Sequence, residues 1–369
     1  MMSSLSRLFG VAATGLTLSI APVANAQVPA GYSSDYASVI DAAKKEGKVL
    51  IYGATDTAAA SPLIKDFEAM YPGVKVEYSD MNTTELYNRV ISEKAAGGTS
   101  GDVFWSSSMD LQIKLINDGY ALTYKSPEVP KLPDWSVWRN EGYGTTYEPI
   151  VFVYNKRLLK PEEVPQSHAD LVKVLTDHAD RFKGKLTSYD IEKSGVGFLL
   201  ITQDAKINPA FWNLAKTVGN VGARFQSSSG TMMERIGSGE NLLGFNMIGS
   251  YALLRAKKDP SIGIVMPKDY TLVMSRIMFI SKTAKNPNAA KLWLDYILSR
   301  RGQTIIANQS ELGSIRADVD GDLTAARLSS TLGGALKPIQ VGPGLLTYLD
   351  QAKRLDFIKQ WQQTAAVRK

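Results

Sequence analysis

Strands and helices alternate over the first third of the chain. Three short apolar runs have the length and composition of buried strands: Lys48–Tyr52, Val74–Tyr78 and Val103–Trp105. Segments with apolar residues at helical spacing flank them: Tyr36–Glu46, Pro62–Tyr71, Thr84–Ala96 and Met109–Asn117. Because strands that alternate with helices form a parallel sheet covered by those helices, we expect an α/β fold. In such folds ligands bind at the carboxyl ends of the strands.

Small polar residues follow each of the three predicted strands. They are Thr55, Asp56 and Thr57 after the first strand, Asn82 after the second, and Ser106 and Ser107 after the third. A single Ser/Thr cluster before a helix usually only caps that helix. Three clusters at equivalent positions along one sheet edge are also suited to surround a ligand. These six residues are therefore candidate ligand-binding residues.

The alternation continues beyond residue 147. Extended segments are predicted at Tyr147–Tyr154, Lys185–Thr187, Asn241–Asn246, Ile262–Met266 and Tyr270–Ile280. Helices are predicted at His168–Thr176, Val196–Thr202, Ile248–Ala256 and Asn288–Ser299. Ser194 and Gly195 directly precede one of these helices, where the backbone N–H groups, the Ser194 hydroxyl and the helix dipole favour a bound anion.

Residues 1–26 have the three-part pattern of a secretory signal peptide. Arg7 is followed by the apolar stretch Leu8–Ile20, and Ala24-Asn25-Ala26 is a small-x-small cleavage signal before Gln27. The apolar stretch is too short to cross a bilayer, which takes about 20 residues. We therefore expect a cleaved signal peptide and a soluble, periplasmic mature protein long enough for two domains.

The composition argues against several kinds of protein. The chain has no cysteine, so it cannot carry the lipid of a bacterial lipoprotein and has no disulfide framework. Its formal net charge is +6, but Lys and Arg are scattered among acids rather than gathered in a basic block, so we expect no nucleic-acid partner. No Gly-x-Ser-x-Gly elbow and no cluster of His and Asp ligands is present, which argues against an exported hydrolase.

Five sequence motifs, in order along the mature chain, resemble the type-II periplasmic substrate-binding proteins of ABC importers. The resemblance is to the branch that binds ferric iron and hexose phosphates. The motifs are Glu46-Gly47-Lys48-Val49, "LIKDFEAMYPGVKVEY" (63–78), "GDVFWSSS" (101–108), "GYGTTYEPIVFVYNK" (142–156) and "KNPNAAKLWLDYILSRRG" (285–302).

The resemblance implies a two-lobed, Venus-flytrap α/β fold with the ligand held between the lobes. Two crossing strands would join the lobes, near Tyr147–Val153 and near Thr271–Arg276. Lobe one would comprise residues 27–148 and 275–369, and lobe two residues 149–274. Hinge closure around the ligand is the expected motion, and a membrane permease the expected partner of a monomeric protein.

The resemblance also separates two kinds of ligand. Iron-binding members use two adjacent tyrosines after the position of Phe245, whereas this chain has Asn246 and Met247 there and a single tyrosine, Tyr251. Ferric iron prefers oxyanion ligands, so we expect no metal site and no cofactor. A small organic anion, a carboxylate, a phosphonate or a sugar phosphate, is the favoured ligand, and ferric iron with a synergistic anion is the alternative.

Further candidate ligand residues follow from this cleft. Arg276 on the second crossing could grip a carboxylate or phosphate through two parallel hydrogen bonds, or pair with an acid of one lobe. Tyr147 and Tyr189 could contact the body of the ligand or line the hinge. Together with Asn246 and Met247, these residues complete the candidate site.

Overall fold

The computed structural model describes residues 28–98 and 101–365. The predicted signal peptide, residues 1–26, lies outside this part of the chain. Among the helices of the described residues, none has both the length and the apolar character to cross a membrane.

The described residues form helices and strands in alternation along most of their length. The strands are β1 (Lys48–Gly53), β2 (Lys75–Asp80), β3 (Val103–Ser106), β4 (Val137–Trp138), β5 (Gly142–Gly144), β6 (Glu148–Asn155), β7 (Leu186–Tyr189), β8 (Arg224–Gln226), β9 (Leu243–Ile248), β10 (Ile262–Val265), β11 (Thr271–Met274), β12 (Ile277–Ile280) and β13 (Leu336–Pro338). The helices are α1 (Tyr36–Glu46), α2 (Thr57–Met70), α3 (Thr83–Ala95), α4 (Met109–Asn117), α5 (His168–Asp177), α6 (Ala179–Phe182), α7 (Gly195–Ile207), α8 (Phe211–Asn220), α9 (Ser229–Gly237), α10 (Gly249–Lys258), α11 (Pro287–Leu298), α12 (Arg300–Ile305), α13 (Ala325–Leu332) and α14 (Gln351–Ala365). A π-helical turn, Ile306–Ser310, follows α12.

The first sheet has the strand order β2-β1-β3-β12-β5-β4. Strands β1, β2 and β3 are parallel, as the alternation predicts, while β12 returns antiparallel to both β3 and β5. Helices α1, α2 and α11 pack against this sheet around a buried cluster that includes Phe67, Trp105 and Trp293. We call this sheet and its helices lobe one.

The second sheet has the strand order β13-β11-β6-β9-β7-β8, and β10 pairs with β6 as well. Strands β7, β8 and β9 are parallel to one another, so their carboxyl ends share one edge. A cluster including Phe152, Phe198 and Phe211 packs between this sheet and helices α5, α7 and α8. We call this unit lobe two. A further apolar cluster, with Phe104 from lobe one and Val151 from lobe two, joins the lobes.

Two adjacent chain segments connect the sheets. The first runs from β5 to β6 through Thr145, Thr146 and Tyr147, and the second runs from β11 to β12 through Ser275 and Arg276. The Thr145 N–H donates to the Arg276 carbonyl at 2.9 Å, and the Arg276 N–H donates to the Thr146 hydroxyl oxygen at 2.9 Å. Hydrogen bonds therefore join the two crossings, which we call the hinge segments.

The end of the chain departs from the expected division into lobes. Strand β13 pairs in parallel with β11 in the second sheet, and Phe357, Trp361 and Ala365 of α14 are buried in the core of lobe two. Residues 336–365 thus belong with lobe two, although the resemblance implies that 275–369 belong to lobe one. No local feature of the sequence predicts this, because the apolar face of α14 packs on residues far away in the chain, among them Phe198, Phe211 and Phe225.

Several elements begin elsewhere than the sequence predicts, or were not predicted. Helix α2 begins at Thr57, five residues before the predicted start, because Asp80 at the end of β2 accepts hydrogen bonds from both the N–H and the hydroxyl of Thr57. The extended segment Tyr270–Ile280 divides into β11 and β12 at the hinge. The sequence predicts no element between residues 203 and 240, where the structure has α8, β8 and α9.

Candidate functional site

A cavity of about 250 Å³ lies between the two lobes. Lobe one contributes residues at the carboxyl ends of β1, β2 and β3: Ala54, Asp56, Asp80, Met81, Asn82, Thr83 and Ser107. Lobe two contributes residues after β7, β8 and β9 and at the starts of three helices: Tyr189, Lys193, Ser194, Val196, Ser227, Ser228, Ser229, Ile248 and Tyr251. The cavity therefore lies at the sheet edges where an α/β fold binds its ligands.

Helix N-termini surround this cavity. Three hydroxyl or amide side chains cap these helices: Asn82 accepts from Glu85 N–H on α3, Ser194 from Gly197 N–H on α7, and Ser228 from Thr231 N–H on α9. The caps hold the first turns of α7 and α9 toward the cavity, and each helix N-terminus carries a partial positive charge. Buried Ser194 and Ser229 add hydroxyl groups at the same wall.

The Tyr189 side chain lines the cavity on the side of lobe two. It is 2 % exposed, and its hydroxyl is hydrogen-bonded to the hydroxyl of Ser229 at the start of α9. Burial raises the pKa of Tyr189 above its usual value, so the phenol is protonated. Tyr189 and Ser229 together offer neutral hydrogen-bonding groups, and no net charge, on this side of the cavity.

The two lobes touch directly across the cleft. The Tyr251 hydroxyl, at the start of α10, lies 3.3 Å from both the backbone nitrogen and Oδ1 of Asp56 in lobe one. The Thr84 hydroxyl donates to the Lys193 carbonyl at 3.3 Å. Burial raises the pKa of Tyr251 to about 12, so this phenol can donate its proton to Asp56. These contacts join the two lobes across the cleft.

The lobes also approach each other closely at Gly195. A Cβ atom at this position would stand 2.8 Å from Ser108 Oγ and 3.1 Å from Thr83 Oγ1, both in lobe one. Real Cβ atoms essentially never lie as close to another atom as 2.8 Å, and 3.1 Å is tighter than most of their contacts. A side chain at this position would therefore require its neighbours to move. The absence of a side chain at Gly195 is therefore what allows the N-terminus of α7 to reach α3 and α4.

Arg276 is fully buried and its guanidinium is engaged within the protein. Nε and Nη2 donate to the two carboxylate oxygens of Glu148 at 2.8 and 3.1 Å, and Nη1 donates to the Ala54 carbonyl and the Thr55 hydroxyl, both at 3.0 Å. Burial acts to lower the pKa of Arg276, but the Glu148 charge outweighs it and holds the pKa above its usual value. From the sequence, Arg276 could bind an anion or pair with an acid of one lobe. In the structure it pairs with Glu148.

Other candidate residues have internal partners and do not line the cavity. Thr55 bonds Arg276, Thr57 bonds Asp80, and Ser106 Oγ accepts from the Ser108 N–H. Asn246 is buried at a positive φ of 57° with its side chain on Asp204, and Met247 is buried in the apolar core. Tyr147 packs beside Trp135, Val273 and Leu328 behind the hinge. Of the thirteen candidates, the cavity is lined by Asp56, Asn82, Ser107, Tyr189 and Ser194.

Sequence reasoning missed several residues that line the cavity. Asp80 is the last residue of β2 and is not among the predicted site residues. Ser227, Ser228 and Ser229 follow β8, a strand that the sequence does not predict. A run of three serines before Met232, Met233 and Ile236, which have helical spacing, is the signal that could have revealed them. The sequence pattern bears on Tyr251 only as an iron ligand, whereas in the structure its hydroxyl contacts Asp56 of lobe one.

His, Cys, Asp and Glu side chains are common metal ligands in proteins. Within residues 28–98 and 101–365, no group of three or more His, Cys, Asp or Glu side chains is close enough to hold a metal ion. His168 is buried in lobe two, stacked on Tyr270 and hydrogen-bonded to Asp269, away from the cavity.

A family model described as "bacterial extracellular solute-binding protein" matches residues 62–327. This chain belongs to that family. The structure is similar to the crystal structure of the substrate binding protein of the ABC transporter from Agrobacterium tumefaciens, with a TM-score of 0.83 and 40% identity over 86% of this chain and 94% of that chain. The expected type-II, two-lobed binding-protein fold is thereby confirmed.

More distant structures have the same fold. The periplasmic binding protein AfuA from Actinobacillus pleuropneumoniae, with exogenous fructose-6-phosphate bound, has a TM-score of 0.72 and 20% identity over 86% of this chain and 98% of that chain. The ferric binding protein from Campylobacter jejuni has a TM-score of 0.67 and 21% identity over 86% of this chain and 99% of that chain. A protein of Haemophilus influenzae named only as uncharacterised is 24% identical over 74% of this chain and 79% of its own length.

Proposed function

We propose that this protein is the solute-binding component of an ABC importer and that it captures a small organic anion between its lobes. Support for the importer comes from the Agrobacterium tumefaciens relative, which is 40% identical and is the substrate binding protein of an ABC transporter. Within this proposal the protein is an exported periplasmic monomer that delivers its solute to a membrane permease. Capture involves no chemical change of the solute.

The single observation that most supports an anionic ligand is the set of groups that lobe two presents to the cavity. The N-termini of α7 and α9, capped by Ser194 and Ser228, meet there with the hydroxyls of Tyr189 and Ser229. Backbone N–H groups at helix starts and hydroxyls replace the water around a carboxylate or phosphate without bringing a full opposite charge. Lys193, at the rim, adds the one basic side chain among the residues that line the cavity.

Ferric iron with a synergistic anion remains the second candidate because a ferric binding protein has the same fold. The cavity is lined by two tyrosines, Tyr189 and Tyr251, that are not adjacent in the sequence. Burial raises the pKa of both phenols, and their hydroxyls are engaged with Ser229 and Asp56. A hard trivalent cation needs several oxyanion ligands. This candidate therefore ranks below an organic anion.

The proposal also assigns the moving parts. Lobe one comprises residues 27–148 and 275 to about 335, lobe two comprises 149–274 together with 336–365, and the hinge lies at Thr145–Tyr147 and Ser275–Arg276. Small-angle scattering of the purified protein with and without ligand tests this closure, because a hinge motion changes the radius of gyration while leaving each lobe intact.

A thermal-shift screen followed by calorimetry tests the function. Residues 27–369 are screened against carboxylates, phosphonates and sugar phosphates, and separately against ferric iron with bicarbonate or citrate. A ligand at about a thousand times its Kd stabilises the folded state by about 4 kcal/mol, so a true solute gives a clear rise in Tm. A rise with an organic anion supports the proposal. A rise only with iron, together with a visible phenolate absorption band, overturns it.

A further inference from the structure

Two carboxylates form part of the lobe-one wall of the cavity. Asp56 and Asp80 stand side by side, because the N–H and hydroxyl of Thr57, the residue after Asp56, donate to Asp80 Oδ2 at 2.9 and 3.0 Å. Asp56 Oδ1 receives the Tyr251 hydroxyl. The other oxygen of each carboxylate has no hydrogen-bond partner among residues 28–98 and 101–365, and no Lys or Arg of these residues forms a salt bridge with either acid.

The opposite wall has the reverse character. None of the cavity-lining residues that lobe two contributes is acidic, and they include Lys193 and the capped starts of α7 and α9. Lys193 approaches only Asp190, at 3.5 Å, and its side chain is 75 % exposed. The cavity is thus polarised, with two carboxylates on one wall and hydroxyls, helix N-termini and a lysine on the other.

This polarity is poorly matched to a solute that carries only negative charge. Closure around such a solute would enclose it beside Asp56 and Asp80, and like charges brought together at an interface cost several kcal/mol. Closure also withdraws the two carboxylates from water, which is unfavourable unless a donor or cation replaces the water. A positively charged group on the solute would remove both penalties at once.

Arg276, the fully buried guanidinium beside these acids, does not supply that charge. Glu148 takes two of its hydrogen bonds, and Ala54 and Thr55 take two more, so that the pair is neutral as a unit. The two carboxylates that face the cavity have no such counterion. Asp56 and Asp80 are exposed to solvent here, so they need a positive charge only when closure around a ligand withdraws them from water, and the ligand can then supply it.

We propose that the solute is a small zwitterion whose anionic group faces the starts of α7 and α9 and whose protonated amine faces Asp56 and Asp80. This inference rests on the proposed function and narrows its ligand class. A cavity of about 250 Å³ is smaller than the roughly 300–1,000 Å³ of pockets that take drug-sized ligands. The solute is accordingly a short amino acid, amino sulfonate or amino phosphate.

Matched pairs of ligands that differ only in the amine test the inference. The probes are β-alanine against propionate, taurine against ethanesulfonate, and phosphoethanolamine against ethyl phosphate, each titrated by calorimetry into the protein, residues 27–369. The tightest binder is expected to carry an amine and to bind at least about tenfold more tightly than its partner, a difference of about 1.4 kcal/mol. Equal or tighter binding of the partner without the amine overturns the inference and leaves the proposed function standing.

The variant Asp56→Asn locates the amine. It keeps the size and the hydrogen-bonding capacity of the side chain but removes one negative charge, so it should weaken the amine-bearing ligand and leave or strengthen its partner. The exposed residue Asp41, on α1 and outside the cavity, provides the control Asp41→Asn, which should change neither affinity. Equal loss for both members of a pair would mean that Asp56 acts on lobe closure rather than on the amine.

The remaining outcomes separate this inference from the proposed function. If no matched pair binds at about 10 mM while an anion from the broader screen does, the zwitterion is wrong and the anion-binding function stands. If the protein responds to ferric iron alone, both are wrong. Binding of amines without an anionic group would also overturn the inference, because it would assign the cavity to a cation.

Discussion

Arg276 and Glu148 bond each other through two parallel hydrogen bonds, and neither side chain is exposed. Arg276 lies on the second crossing and Glu148 begins β6, so their pairing ties the two hinge segments together. Glu148 also accepts from the Ser250 hydroxyl of α10, and Arg276 holds the end of β1 through Ala54 and Thr55. The pair therefore holds elements of both lobes where the two crossings run side by side.

Removing either partner should destabilise the whole protein. Glu148→Gln leaves a buried guanidinium without its counterion, a change that typically costs about 3–5 kcal/mol. Chemical denaturation should show this loss. Lys48→Ala is the control, because Lys48 and Glu77 form an exposed pair whose loss costs less than about 1 kcal/mol. If Glu148→Gln is as stable as the control variant, the pair does not hold the hinge.

Gly195→Ala should hold the lobes apart. The added Cβ would meet Ser108 Oγ at 2.8 Å, and overpacking of this kind costs about 1–3 kcal/mol, which the protein can avoid by opening. We expect a larger radius of gyration by small-angle scattering and at least about tenfold weaker ligand binding. Gly334→Ala is the matched control, since no atom lies within 4 Å of its added Cβ. Unchanged scattering and affinity in Gly195→Ala would show that the lobes do not need this contact.

Tyr251→Phe should weaken closure without altering either lobe. It removes the hydroxyl that lies 3.3 Å from Asp56 and keeps the aromatic ring beside Arg276. A hydrogen bond of this kind contributes about 0.5–1.5 kcal/mol, so ligand affinity should fall by up to about tenfold while Tm without ligand stays nearly constant. Titration calorimetry and thermal unfolding measure the two quantities. A fall in Tm that matches the loss in affinity would assign Tyr251 to the fold instead.

Asp295 should make stability depend on pH. Burial raises the pKa of Asp295 to about 6, although the hydroxyls of Tyr36 and Tyr124 donate to Oδ2 at 2.6 Å. The folded state binds the proton of Asp295 more tightly than the unfolded state does. Protonation of this carboxyl therefore stabilises the folded protein at low pH. This stabilisation is lost as pH rises through about 6. As pH rises from the unfolded-state pKa of 3.8 through about 6, the free energy of unfolding falls by about 3 kcal/mol.

The variant Asp295→Asn isolates this dependence. It cannot titrate, so the stability of the parent protein relative to the variant should fall between about pH 4 and pH 7 in urea unfolding. Asp356→Asn, an exposed change on α14, should leave the slope as it is in the parent protein. A parent protein whose stability relative to Asp295→Asn is flat over this range would contradict a raised pKa for the buried carboxyl.

The elements that could be predicted from the sequence are those with a local signal. Strands β1 and β3 and helices α1 and α4 follow from apolar spacing alone, and the positions of the crossings follow from the family resemblance. Strand β8 has three residues, Arg224, Phe225 and Gln226, at the edge of its sheet, too few to show a period. The serines beyond it were missed for that reason.

The candidate site shows why partners matter more than residue type. Arg276 has the chemistry to grip an anion, but its partner, Glu148, is 128 residues away in the sequence and adjacent only because the two crossings pair. Asp80 is the last residue of a strand and reaches the cavity because it caps α2. Neither relationship can be read from spacing along the chain, whereas Ser194 could be predicted because a cap is a local feature.

The position of α14 has a consequence for how the chain acquires its structure. Phe357 and Trp361 pack on Phe211 of α8, with ring centroids 6.3 and 6.2 Å apart, and the backbone of Thr364 and Ala365 closes over Gly219. Lobe two therefore lacks part of its core until residues 357–365 have been synthesised. Lobe one itself needs β12 and α11, residues 277–298, to complete its sheet and core. A nascent or truncated chain that ends before residue 351 can therefore contain all of these elements and still leave the apolar face of α8 open to solvent.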